Sequence, residues 1–161
     1  MQMIIGKEQN RERVSYSMWI EPDGQLKIGT YSIFPAIGTA RTEKTDKLAD
    51  DLWHFVAGVY NRKTLVAYID GTPLGEVKWI GKPLVGDEGA LPKIDIAPLM
   101  IGATPPNGVD GIDGLIDDVG LFDVALNQNQ LQTIMDEGLV NYLAVTPQGK
   151  LATTWAHIKA K

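Results

Sequence analysis

The sequence predicts an all-β chain, an antiparallel two-sheet sandwich with one short helix near the C-terminus. Three observations carry this. Large apolar residues alternate with small or polar ones over several short stretches, the period of a half-buried strand. Turn residues separate those stretches, and the 161 residues include 17 glycines and 9 prolines. A single helical pattern with its own start and stop signals follows late in the chain. Many short strands with one short helix give a sandwich.

The elements follow in order. Val14 to Ile20 alternates as a strand, Pro22-Asp23-Gly24 forms a turn, and Gln25 to Gly29 returns as the second arm of a hairpin. Trp53 to Tyr60 is the next strand, Asn61-Arg62-Lys63 its turn, and Thr64 to Ile69 the strand after that. Asp70-Gly71 is a strong two-residue hairpin signal, because both positions of such a turn need positive φ. Pro73 to Trp79 completes a three-stranded meander. Gly81 to Pro92 reads as a surface loop, Ile94 to Gly102 as a strand, Pro105 to Gly108 as a turn, and Leu115 to Phe122 as a further strand. Asn127 is the expected N-cap of a helix over Gln128 to Glu137, with Gly138 just past its end. Leu131, Ile134 and Met135 share one face of it, so it should lie against a sheet.

One domain is expected over residues 1–140, followed by a tail over 141–161. The length suits a single core, and 44% apolar with 22% charged residues is globular composition. A formal charge of −5 argues against nucleic acid, whose phosphates need a basic surface. There is no cysteine, so thiolate chemistry and disulfides are excluded. No apolar run approaches the length of a membrane span. Met1 to Lys7 is too short in apolar residues for a signal peptide.

Three segments together resemble the laminin-G-like family. Trp53 to Tyr60 with Leu65 to Gly71 resembles the family's central hairpin; Leu99-Met100-Ile101-Gly102 resembles a later strand; Gly114 to Phe122 with Ala125-Leu126 resembles the closing strand and the approach to its helix. The resemblance spans roughly residues 4–138. Gly149 to Trp155 is similar to an ending found on some bacterial secreted proteins with such domains. The resemblance implies a concanavalin A-like lectin-glucanase jelly roll, an extracellular or secreted location, and a non-catalytic module that recognises a glycan or an extracellular protein. The strands that precede Ile4 in the family are not evident here, which implies a shortened sandwich. Its strand Val14 to Ile20 shows no inward lysine or internal proline to protect an open edge, so a homo-oligomer is expected. The alternative is that the tail folds back to fill the gap.

Candidate chemistry is sparse. Sandwich glycosidases need paired carboxylates facing across the sugar, usually as alternating acids in one strand, and no segment has that pattern. No nucleophile elbow is present, and the histidines number two. His54 is expected to be a structural or half-exposed strand residue, and His157 lies in the tail. The sharpest cluster is Asp110, Asp113, Asp117, Asp118 and Asp123, interleaved with Gly108, Gly111 and Gly114. Calcium takes carboxylate and carbonyl oxygens, and glycine turns can aim the latter. Strand alternation places Asp117 on the core side beside Leu115, Val119 and Leu121, where a carboxylate needs donors or a metal. The calcium candidates are therefore Asp117, Asp118 and Asp113; the plainer reading is that Asp117 caps backbone amides and the others are turn residues. Sugar binding needs exposed aromatics, for which Trp79, Tyr31 and Tyr60 stand beside turns, whereas Trp19 and Trp53 are expected in the core.

Overall fold

The computed structural model describes residues 1–10, 13–31, 37–41, 48–61, 64–74, 97–104 and 110–143. Among the described residues eight strands and two helices follow in order: β1 (Gln2–Asn10), β2 (Arg13–Ile20), β3 (Leu26–Tyr31), β4 (Ile37–Arg41), β5 (Val56–Tyr60), β6 (Leu65–Ile69), β7 (Thr72–Leu74), β8 (Leu99–Ile101), α1 (Gln128–Glu137) and α2 (Leu139–Leu143). All described strand pairs are antiparallel. They form two sheets, one in the order β4-β3-β2-β1-β8 and one in the order β5-β6-β7. Among the described residues no helix is long and apolar enough to cross a membrane.

The turns form where their residues demand. Gly24 has a φ of 84°, its N–H donates to the Glu21 carbonyl at 2.9 Å, and the β2–β3 hairpin closes around it. Asp70 and Gly71 have φ of 49° and 72° and join β6 to β7 with Ile69 opposite Thr72. That is the primed turn whose twist matches the flanking strands.

Packing follows the alternation. Leu65, Ala67 and Ile69 of β6 point inwards against Leu26 and Ile28 of β3, with Met18, Val56 and Tyr60 around them. Val66 and Tyr68 therefore point outwards, and Phe55, Ala57, Val59 and Tyr68 meet Leu126, Leu131 and Ile134. The three-stranded sheet is thus a middle layer, with the larger sheet on one face and α1 on the other. The far face of the larger sheet buries Met3, Trp19, Ser15 and Ser17, and among the described residues the hydroxyls of both serines have no hydrogen-bond partner.

Several expectations need correction. Val14 to Ile20 lies within β2, an interior strand between β1 and β3, because Gln2–Asn10 forms a strand that pairs with it. That removes the open edge on which the oligomer expectation rested. Strand β5 starts only at Val56, and Trp53, expected in the core, is 67% exposed before it. Leu115 to Phe122 is not a strand: Asp118 has a φ of 48°, a left-handed conformation that cannot continue an extended ladder. Leu115 is 79% exposed, and Val119 and Leu121 are exposed as well. A second short helix, α2, follows the expected one. Of Pro73 to Trp79 the first two residues fall in β7, and residues 75–79 lie outside the described residues; of Ile94 to Gly102 the strand is Leu99–Ile101.

Candidate binding site

A cleft of 360 Å³ opens on the outer side of the three-stranded sheet, lined by Val59, Asn61, Thr64, Val66, Tyr68 and the segment Ala125 to Gln128. Its floor comes from the cross-strand pairing of Val59 with Val66 and of Ala57 with Tyr68, which sets these side chains on one face. Its walls are two capping motifs. The Asn61 side-chain oxygen accepts from the Thr64 N–H at 2.7 Å and from its hydroxyl at 3.1 Å, closing the β5–β6 turn. Asn127 starts α1 with a reciprocal box, its Oδ1 accepting from the Gln130 N–H at 3.0 Å and its own N–H donating to Gln130 Oε1 at 2.9 Å. Gln128 Nε2 donates to the Gly71 carbonyl at 3.0 Å and ties the helix start to the hairpin. The open, partly apolar hollow sets an aromatic ring beside several amide and hydroxyl groups.

None of the described candidate site residues singled out from the sequence lines this cleft. Tyr60 belongs to the inward set of β5 and packs on the core, on the opposite face from Tyr68. Tyr31 ends β3, with its side chain outside the described set, and Trp79 lies outside the described residues altogether. Tyr68 was missed because β6 reads Leu-Val-Ala-Tyr-Ile, apolar on both faces, so the pattern does not say which face opens to solvent. Asp117, expected to face the core, is exposed, and its Oδ1 accepts from the Asp118 N–H at 2.8 Å. Asp118 and Asp113 are exposed too, and the Asp113 N–H donates to Gln2 Oε1 at 3.0 Å. Among the described residues no three acidic or histidine side chains converge as ligands of one ion.

His54 is held more firmly than its sequence neighbours suggest. Its Nδ1 lies 2.8 Å from Asp70 Oδ2 and its Nε2 3.1 Å from Asp50 Oδ1. Asp70 also accepts the Phe55 N–H at 2.9 Å, and its own N–H donates to the Phe55 carbonyl at 2.8 Å. The Asp70 hydrogen bond raises the His54 pKa against a lesser desolvation, with Asp50 adding to the rise; the hydrogen bond from His54 in turn lowers the Asp50 pKa. The arrangement clamps the approach to β5 onto the β6–β7 turn. Asp70 is 16 positions away in sequence, so only folding reveals the pair.

The family described as the concanavalin A-like lectin/glucanases superfamily, Laminin_G_3, matches residues 1–132. The chain belongs to this family. Among solved structures it is similar to residues 221–444 of an S-layer domain-containing protein from Clostridium thermocellum, with 24% identity and a TM-score of 0.41. The match covers 74% of this chain and spans 55% of that one. No curated protein matches. The lectin/glucanase superfamily name covers both sugar binding and sugar hydrolysis, so membership does not choose between them. The described lining of the cleft contains no carboxylate.

Proposed function

We propose that this laminin-G-like domain is a non-catalytic recognition module, acting outside the cell, that holds a glycan through the cleft beside Tyr68. The supporting observation is the lining itself: the Tyr68 ring with Asn61, Thr64, Asn127 and Gln128 around it, and no acid among the described lining residues to serve as nucleophile or proton donor. A sugar presents an apolar ring face to the aromatic and hydroxyls to the amides. Calcium assistance, through Asp113, Asp117 and Asp118, belongs to the same proposal; it requires these exposed carboxylates to gather around the ion with water completing the shell. A glycan array run with calcium and with chelator tests both parts. Binding that falls at least tenfold in Tyr68→Ala supports the cleft, and loss of that binding in chelator supports the metal. An array with no hits in either buffer refutes glycan recognition and favours a second reading, a structural or assembly module that contacts protein through the exposed apolar residues Leu115, Leu121 and Val124.

A further inference from the structure

An aspartate followed by glycine is prone to rearrange, because glycine has no Cβ to shield its nitrogen from the neighbouring carboxyl group. The chain holds four such pairs, Asp23-Gly24, Asp70-Gly71, Asp110-Gly111 and Asp113-Gly114. Their local chemistry is alike, and the fold separates them. The side-chain carboxyl must swing onto the following nitrogen, so a hydrogen bond that holds either group, or a backbone fixed on both sides, opposes the reaction. In the β2–β3 turn the Gly24 N–H donates to the Glu21 carbonyl at 2.9 Å, and Asp23 Oδ1 accepts the Gln25 N–H at 3.2 Å. In the β6–β7 turn the Asp70 carboxylate is held by His54 at 2.8 Å and by the Phe55 N–H at 2.9 Å. Asp110 is half-buried at a φ of 59°, and the backbone around it is tied twice. Its carbonyl accepts the Met3 N–H at 2.8 Å, and the Ile112 N–H donates to the Gly102 carbonyl at 2.9 Å.

Asp113-Gly114 differs on each count. Both residues are exposed and lie outside the described strands and helices. The Asp113 N–H donates to Gln2 Oε1 at 3.0 Å, a bond that involves neither reacting group. Among the described residues nothing lies within 4 Å of where a Gly114 Cβ would stand, so a ring has room to form. We propose that Asp113-Gly114 is a site of spontaneous covalent modification, at which Asp113 converts to isoaspartate. The Gly114 nitrogen bonds to Cγ of the protonated carboxyl; the amide proton and the carboxyl hydroxyl leave as water, closing a five-membered succinimide. Water then adds back. Addition at Cγ breaks the new bond and restores aspartate. Addition at the main-chain carbonyl breaks the original peptide bond and leaves isoaspartate, with the main chain running through Cβ and Cγ. The mass is unchanged, and no oxidant or cofactor takes part. The product is a backbone longer by one methylene, with a free α-carboxylate that an isoaspartate methyltransferase can methylate from S-adenosylmethionine. The conversion is independent of glycan binding.

Ageing the folded full chain at mildly acidic pH tests it. A protease that cuts before aspartate but not before isoaspartate reads the four sites separately, and electron-transfer fragmentation confirms each position. Isoaspartate is expected at Asp113 at least tenfold faster than at Asp23, Asp70 and Asp110. Equal rates in the folded chain, or a faster rate at any of the other three, overturn the proposal. In urea the four rates should converge; an Asp113 lead that persists there overturns the role of the fold. Methyl uptake by the aged, folded protein gives the second readout, in an Asn107→Gln background that removes the Asn-Gly pair at 107–108. Adding Asp113→Glu keeps the charge and should abolish most of the uptake, because glutamate would need a six-membered ring. Uptake undiminished by Asp113→Glu overturns the assignment.

Discussion

Replacing Gly58 by alanine tests how closely the two sheets approach. Gly58 lies mid-strand in β5 at no positive φ, so its missing side chain is not a backbone requirement. A Cβ there would come within 2.8 Å of Ile28 Cδ1 and 3.0 Å of Ile28 Cγ2, with Met18 Cε at 3.5 Å. Carbon pairs are most favourable near 3.5–4.0 Å, so the first two contacts are repulsive. Ile28 is itself buried among Leu26, Leu65, Ala67 and Ile69 and has little room to withdraw. Overpacking of this kind costs about 1–3 kcal/mol, and exchanging glycine for alanine within a strand recovers roughly 0.5–1 kcal/mol. The net loss centres on about 1 kcal/mol, which lowers Tm by about 2–4 °C for a domain of this size. Urea unfolding followed by far-ultraviolet circular dichroism measures it. Ile28→Val removes the nearer of the two atoms; alone it costs about 0.5–1.5 kcal/mol, and combined with Gly58→Ala it should restore part of the loss instead of adding to it. A Gly58→Ala protein as stable as wild type, or strictly additive losses in the double variant, would refute the close approach.

The remaining predictions concern local features. His54 has a raised pKa in the fold, so the stability from its pairing is fully present below its unfolded value of about 6.5 and is lost as pH rises through the higher folded value. His54→Gln should therefore lower the urea midpoint more at about pH 5.5 than at about pH 8.5; the reverse order contradicts the clamp. The lowered pKa of Asp50 acts in the opposite sense only under acid conditions, where its contribution fades as pH falls through its folded value. Asn127→Ala removes one arm of the capping box and should cost about 1 kcal/mol, with faster exchange in the first turn of α1. Ser17→Ala removes a buried hydroxyl that has no partner among the described residues and should be neutral or stabilising, since an unsatisfied group costs about 1–3 kcal/mol; a clear loss of stability would reveal a hydrogen bond to that oxygen.

The local features were legible in the sequence because they are set within a few residues. Asp70-Gly71 forms its turn through the φ values that these two residue types tolerate. Asn127 and Gln130 cap α1 across three positions, and Gly138 ends it at a φ of 82°. The β2–β3 hairpin and the β5–β6–β7 meander needed only alternation between turn residues. Family membership was legible for a similar reason, in that its signature segments are these same turns and strands in fixed order.

Tertiary structure decided what alternation leaves open. A period of two says that successive residues face opposite ways; it does not say whether a neighbour waits on either side. Tyr60 and Tyr68 look alike in sequence, yet one packs on the core and the other lines the cleft, because the middle sheet is covered by strands on one face and by α1 on the other. Trp53 and Leu115 have the apolar character of core residues and remain exposed, because no described layer covers them. Gly114 to Phe122 reads as a strand until Asp118 takes a left-handed φ, which local preference permits but does not require. His54 finds Asp70 only when β5 and β6 pair and bring residues 16 positions apart within 2.8 Å. The sequence by itself determined the turns, the cap and the two-sheet class, because short-range sterics and hydrogen bonds specify them; which faces were covered, and by what, was decided by long-range packing.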